Sequence, residues 1–215
     1  KCFDFGTGDY TIECYINFSS LGTTEMMFCL EDEFNVFMYN SNKITFWAEE
    51  NSLASPYITS STAPVADTWY HFALVCDRGT TRMYLDGVQE GSSTTVFDHT
   101  CNGTTQNFFI GTDDISASPG TRDMHGHISN FRITKGVCRY PDGTTFTPPS
   151  LPLAVDASTG IDKHTKLMLH MDGTDASTDF DDSSAYLNHF TAVGNAQVDT
   201  AQSVHGGASA LLDGT

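Results

Sequence analysis

Cationic side chains are scarce in this chain of 215 residues. Ten Lys and Arg stand against 27 Asp and Glu, a formal charge of −17. A surface of that sign repels phosphate backbones and anionic bilayers, which argues against nucleic-acid binding and membrane docking. No apolar run reaches the ~20 residues that a membrane-spanning helix needs, so membrane insertion is not expected, and no signal-peptide pattern is present. No Cys-Xaa-Xaa-Cys pair occurs, which removes zinc ribbons and thioredoxin-like redox centres. Neither Gly-Xaa-Ser-Xaa-Gly nor His-Glu-Xaa-Xaa-His is found, so the common hydrolase and metalloprotease signatures are missing. Sustained helical periodicity is also lacking. The acids are mostly Asp, which favours turns, caps and metal loops over helix faces.

What the chain does have suits strands. Aromatic residues make up 12%, with 15 Phe and 8 Tyr, alongside 18 Gly. Thr11 to Phe18 alternates, with Ile12, Cys14, Ile16 and Phe18 on one face and Thr11, Glu13, Tyr15 and Asn17 on the other, as in a half-buried strand. Met26–Leu30, Phe34–Tyr39 and Lys43–Glu49 read as further strands, followed by a polar loop over Ser52–Asp67. Trp69–Asp77 and Arg82–Asp86 form the clearest hairpin, with Asp77-Arg-Gly-Thr80 as its turn and Asp86-Gly87 as the next. Phe108–Gly111 and Gly126–Thr134 follow. Many short strands separated by turn signals predict an all-β sandwich or barrel.

The six cysteines are Cys2, Cys14, Cys29, Cys76, Cys101 and Cys138. Their even number permits disulfides, and the pairing is open; Cys14, Cys29 and Cys76 lie within strands, where a thiol also serves as a small core residue. Asn17 and Asn102 head sequons that would carry glycans on a secreted eukaryotic chain. Lys1 is not a natural start, so the chain is expected to be processed or a window of a longer polypeptide.

Several ordered stretches resemble the concanavalin A-like lectin/glucanase superfamily, specifically its laminin-G-like jelly-roll branch. They are Phe5-Gly-Thr-Gly-Asp-Tyr-Thr-Ile-Glu13, Trp69-Tyr-His-Phe-Ala-Leu-Val-Cys-Asp77, Met83-Tyr-Leu-Asp-Gly-Val88, Phe109-Ile-Gly111 and Gly126-His-Ile-Ser-Asn-Phe-Arg-Ile-Thr-Lys-Gly136, closing through Phe146-Thr-Pro-Pro149. The tail resembles the opening of the same kind of domain, in Leu167-Met-Leu-His-Met-Asp-Gly-Thr174, Phe180-Asp-Asp-Ser-Ser184 and Gly206-Gly-Ala-Ser-Ala-Leu-Leu-Asp-Gly-Thr215. The resemblance implies a two-sheet antiparallel jelly-roll sandwich in permuted order. Residues 1–153 would form a body lacking its first strands, 154–165 a linker, and 166–215 the missing strands. A sheet without its first strands has open edges. The tail would complete its own body, or a neighbouring subunit by strand donation; a window of a tandem array is the third reading. Donation is the expectation favoured, and it gives a head-to-tail fibre of copies of this chain. Leu167, Leu169, Met171, Ala208, Ala210 and Leu212 would be its alternating apolar teeth.

The resemblance also implies a structural Ca²⁺ where the first-strand loop meets the Gly126–Lys135 strand, held by Asp172, Asp182 and Asn130. Enzymatic activity is not expected. The glucanases of this superfamily use two Glu flanking an Asp on one strand face, whereas Glu31-Asp-Glu33 sits at a turn and adjacent Glu49-Glu50 point to opposite faces. His125 and His127 read as ordinary sheet residues. The expected function is therefore an extracellular structural subunit or surface appendage. The alternative is a glycan-binding adhesion module of a virion or cell surface, to which Trp47, Tyr57, Asp113, Asp114 and Asn102 would contribute. Trp47 and Trp69 read more naturally as packing aromatics.

Overall fold

Alternating β-branched and aromatic residues can bury one face only by pairing and stacking. A computed structural model describes residues 3–31, 33–39, 41–48, 58–99, 106–112, 122–150, 152–153 and 163–214, and among these it contains strands and no helix. The strands are β1 (Tyr10–Phe18), β2 (Glu25–Leu30), β3 (Phe34–Met38), β4 (Ile44–Ala48), β5 (Ile58–Thr59), β6 (Trp69–Asp77), β7 (Thr80–Leu85), β8 (Val88–Ser93), β9 (Phe108–Ile110), β10 (His125–Lys135), β11 (Thr165–Leu169), β12 (Gln197–Asp199) and β13 (Ser209–Asp213). One sheet has the order β12-β13-β10-β1-β6-β7-β8, with β11 also on β10; the other runs β5-β4-β3-β2-β9. The pairings are antiparallel. The architecture is the all-β, two-sheet sandwich expected.

The core lies between the sheets. Ile12, Cys14, Ile16 and Phe18 of β1 face Phe28, Phe34, Val36 and Phe46 of the smaller sheet, in one cluster with Phe72, Leu74, Phe131 and Ile133. Each such side chain taken fully out of water stabilises the fold by about 1.5–3 kcal/mol. The turns joining β6 to β7 and β7 to β8 are each two residues long. Arg78 and Gly79 have φ 48° and 77°, as do Asp86 and Gly87, the left-handed pairs that suit tight hairpins. Gly87 is doubly constrained, since a Cβ there would lie 1.9 Å from the Phe146 carbonyl oxygen.

β1 departs from its expected half-buried character, because all nine of its residues are buried. The chain after β10 returns across the outer face of the larger sheet as a strap. Arg139 donates its backbone N–H to Thr11 Oγ1 at 2.9 Å, the Tyr15 hydroxyl donates to the Pro149 carbonyl, and Phe146 donates its backbone N–H to the Gly87 carbonyl at 3.1 Å. Tyr140 and Phe146 stack at 3.7 Å between ring centroids. A strap with no strand or helix pattern of its own carries no periodic signal in sequence.

The tail occupies the larger sheet of its own chain. β10 divides one edge between two tail strands: His125–Ile128 pair with β13, and Phe131–Thr134 pair with β11. Leu167, Leu169, Met171, Ala208 and Ala210 are buried, and Leu212 packs against the core cluster. β11 begins at Thr165, one residue earlier than expected, and residues 154–162 lie outside the described set.

Candidate ligand-binding cleft

At the tail end of the sandwich the two sheets are not sealed against each other. β9 forms one margin of the smaller sheet, and β13 and β11 lie at the facing end of the larger one. The space between them is a cleft of about 540 Å³, within the ~300–1,000 Å³ typical of small-molecule sites. Strand alternation builds both walls. β9 sends Phe108 and Ile110 toward the core, with Phe109 on the opposite face beside Trp47. The tail supplies Leu169, Met171, Ala210 and Leu212, and the irregular chain between β11 and β12 adds Phe180 and Phe190. Gly111, at φ 80°, lets the walls approach, because a Cβ there would lie 2.6 Å from Leu212 Cδ1. Among the described lining residues the carboxylates are Asp123 and Asp213. Asp213 Oδ2 accepts a hydrogen bond from Asn195 Nδ2 at 3.1 Å.

A second cluster has the composition of an acid–base centre. Glu13 Oε1 accepts from Arg132 Nε at 2.9 Å and Nη2 at 2.6 Å. Glu13 Oε2 accepts from the Tyr140 hydroxyl at 2.6 Å and lies 3.2 Å from His71 Nε2. Burial pushes the carboxyl upward, but the His71 hydrogen bond, the Arg132 charge and the Tyr140 hydroxyl outweigh it and hold the pKa at about 2. A group held so low stays ionised and cannot donate a proton near neutrality. It also lies wholly out of solvent beneath the strap. Glu13, His71 and Arg132 are distant in sequence and meet only through the register of β6, β1 and β10, so their meeting left no local signature.

Of the three expected calcium residues, Asp182 and Asn130 already spend side-chain oxygens on hydrogen-bond donors. Asp182 Oδ1 accepts the backbone N–H groups of Met168 (2.9 Å) and Ser184 (2.8 Å). Asp182 Oδ2 accepts from Ser184 Oγ (2.8 Å), Asn188 N (2.7 Å) and Asn188 Nδ2 (2.7 Å). Five donors point where Ca²⁺ would need bare oxygen. Asn130 stands at the point where β10 changes partners, with φ 53°. Its Oδ1 accepts from Leu153 N at 3.1 Å, and its Nδ2 donates to Ser129 Oγ at 2.9 Å. Asp172 is exposed. Among the described residues no three His, Cys, Asp or Glu side chains gather as a metal site.

Other expected sites are revised by burial. Asn17 is 4% exposed, paired with His127 on one side and Trp69 on the other, so a glycan has no room there. Cys14, Cys29, Cys76 and Cys138 are thiols rather than disulfide partners. Cys2, Cys101, Asn102, Tyr57, Asp113, Asp114, Glu49 and Glu50 lie outside the described residues. Glu31 accepts from the Asn107 backbone and side chain, and Glu33 from Gln106 Nε2, so this pair braces the loop before β9. His127 Nε2 lies 3.0 Å from Asp199 Oδ2, a sheet-face contact. Trp47 packs on the outside of the smaller sheet beside Met26, Cys29 and Phe37, and Trp69 lies near His127, their rings 6.3 Å apart. Both tryptophans are packing aromatics.

Two antiparallel sheets, a strapped outer face and an open apolar end define a lectin-type sandwich module. The chain belongs to the concanavalin A-like lectin/glucanases superfamily, whose laminin-G-type family model matches residues 1–139. It is similar to a protein of Bacteroides ovatus ATCC 8483 proposed to bind carbohydrate, at 20% identity and TM-score 0.62, over 83% of this chain and 50% of that one. This chain therefore spans about half the length of that protein. A heptameric SAP-like pentraxin of Limulus polyphemus matches at 16% identity and TM-score 0.48, over 63% of this chain and 68% of its own. Domain 4 of AbnA, an extracellular GH43 arabinanase of Geobacillus stearothermophilus solved with arabinotriose, matches at 18% identity and TM-score 0.46, over 60% of this chain and 61% of its own. At these identities the likeness concerns the fold. No curated protein matches the chain significantly.

Proposed function

We propose that this chain is a carbohydrate-recognition module that binds its ligand in the cleft between β9 and the tail and carries out no reaction on it. The observation that carries the reading is the cleft itself. Phenylalanine rings from both walls offer surfaces for the C–H faces of a sugar, and Asp123 and Asp213 offer acceptors for hydroxyls. Membership of a lectin-fold family supports the same reading. The absence of chemistry is supported by where the acid–base groups lie, since the Glu13 cluster is sealed beneath the strap and takes no part in the cleft. An extracellular or cell-surface setting is where such a module meets glycans. The tail then serves as a wall of the site rather than as a strand for a neighbour.

Isothermal titration across a saccharide panel tests this, repeated with Phe190→Ala, which removes a ring from the cleft. Saccharide binding weakened about tenfold or more is expected, as for loss of a stacking aromatic in a recognition site. An unchanged affinity in the variant would place the ligand elsewhere.

A further inference from the structure

The cleft has an apolar floor and an acidic rim. Among the described residues that line it, four carry a polar side chain: Thr112, Asp123, Thr191 and Asp213. All four are half-buried or exposed, whereas the buried lining side chains Met124, Leu169, Met171 and Ala210 are apolar. Above them Phe108, Ile110, Phe180, Phe190 and Leu212 are only partly buried, leaving apolar surface facing the cleft.

A bare hexose placed on that floor would bury several hydroxyls against apolar described side chains, and each unpaired hydroxyl costs about tenfold or more in affinity. A ligand with an apolar end and a hydroxylated end matches the gradient. Its apolar end displaces water from the floor, and its hydroxyls donate to the rim carboxylates. The same two carboxylates, on a chain of formal charge −17, repel an anionic ligand.

We propose that the cleft takes neutral glycoconjugates by an alkyl, aryl or acyl substituent inserted between the sheets, with the sugar held at the rim, and that it rejects acidic glycans. This rests on the reading of the cleft as a saccharide site and names the class of saccharide it takes.

The test is titration of the intact protein with hexyl β-glucoside, methyl β-glucoside, hexyl β-glucuronide and 1-hexanol. The hexyl glucoside is expected to bind about tenfold or more tighter than the methyl glucoside, which is less than the gain from two fully buried methylenes. It should also outbind 1-hexanol. The glucuronide should bind more weakly than the hexyl glucoside, with a gap that narrows in salt. Thr191→Lys, at an exposed rim position, should narrow that gap at low salt without altering the fold. If methyl and hexyl glucosides bind equally, or the glucuronide equals the glucoside, this inference is overturned while the saccharide reading stands. If 1-hexanol binds as tightly as hexyl glucoside, or no saccharide or glycoside binds, both fall.

Discussion

His99 sets an acid limit on the stability of this fold. The residue is fully buried, and among the described residues neither ring nitrogen has a hydrogen-bond partner. Its ring stacks on Phe97 at 5.8 Å and meets Phe34 edge-on at 5.0 Å. Glu33 Oε2, at 3.8 Å, is beyond hydrogen-bond reach. Burial disfavours the imidazolium and lowers the pKa from 6.5 to about 4, against a small opposing pull from the Asp98 charge. Between these two values the unfolded chain binds a proton that the folded chain refuses. Stability is therefore complete above pH 6.5, falls as the pH drops toward 4, and loses nothing more from this group below that. At pH 4.5 the loss from His99 alone comes to about 2–3 kcal/mol, taking 1.36 kcal/mol per pKa unit. Replacing the ring by His99→Phe keeps an aromatic in the stack and removes the titration. Urea unfolding of both proteins at pH 7.5 and 4.5 measures the term, because the carboxylates common to both cancel in the comparison. The variant should lose about 2–3 kcal/mol less than the parent on acidification. Equal losses in the two proteins, or an imidazole resonance titrating near 6.5, would refute the assignment.

Glu13→Gln removes the partner of a buried guanidinium, and its expected cost is about 3–5 kcal/mol, read as a lowered urea midpoint. In the parent the depressed Glu13 pKa adds stability that is complete above pH 4.5 and is lost as the pH falls toward 2, and the variant's urea midpoint should lack that acid-limb dependence. Millimolar Ca²⁺ or a chelator should leave the melting temperature unchanged, because five donors already occupy the Asp182 carboxylate; a calcium-dependent rise would reopen the metal site. Sedimentation at increasing protein concentration should show a species of 23.4 kDa, as expected of a tail docked on its own β10. Oligomers that grow with concentration would instead indicate strand donation.

Much of this fold is legible in the residues. The β6–β7 hairpin can be read from Asp77-Arg-Gly-Thr80, and the alternation of Ile12, Cys14, Ile16 and Phe18 gives the buried face of β1 directly. The tail's apolar teeth are equally clear, because Leu167 and Leu169, like Ala210 and Leu212, keep period two. Their destination is not legible, since period-two spacing sets which face is buried and says nothing of whose sheet receives it. β8 and β5 escape detection for a physical reason: Val88–Ser93 is an edge strand of polar residues, and Ile58–Thr59 is too short to alternate. Asp182 and Asn130 illustrate the limit for sites. An Asp in a loop reads as a cation ligand until its neighbours' N–H groups are placed around it, and those come from Met168, Ser184 and Asn188 only after β11 has paired. The cleft is less legible still, because Phe108, Phe180 and Leu212 become neighbours through the meeting of two sheets.

The most direct test is a crystal structure of the protein with the tightest-binding glycan from a saccharide panel. Ligand density should lie in the cleft, against Phe180 and Phe190, with hydroxyls directed to Asp123 and Asp213. Density at the outer face of either sheet, with the cleft filled by water alone, would contradict the assignment of this end of the sandwich as the binding site.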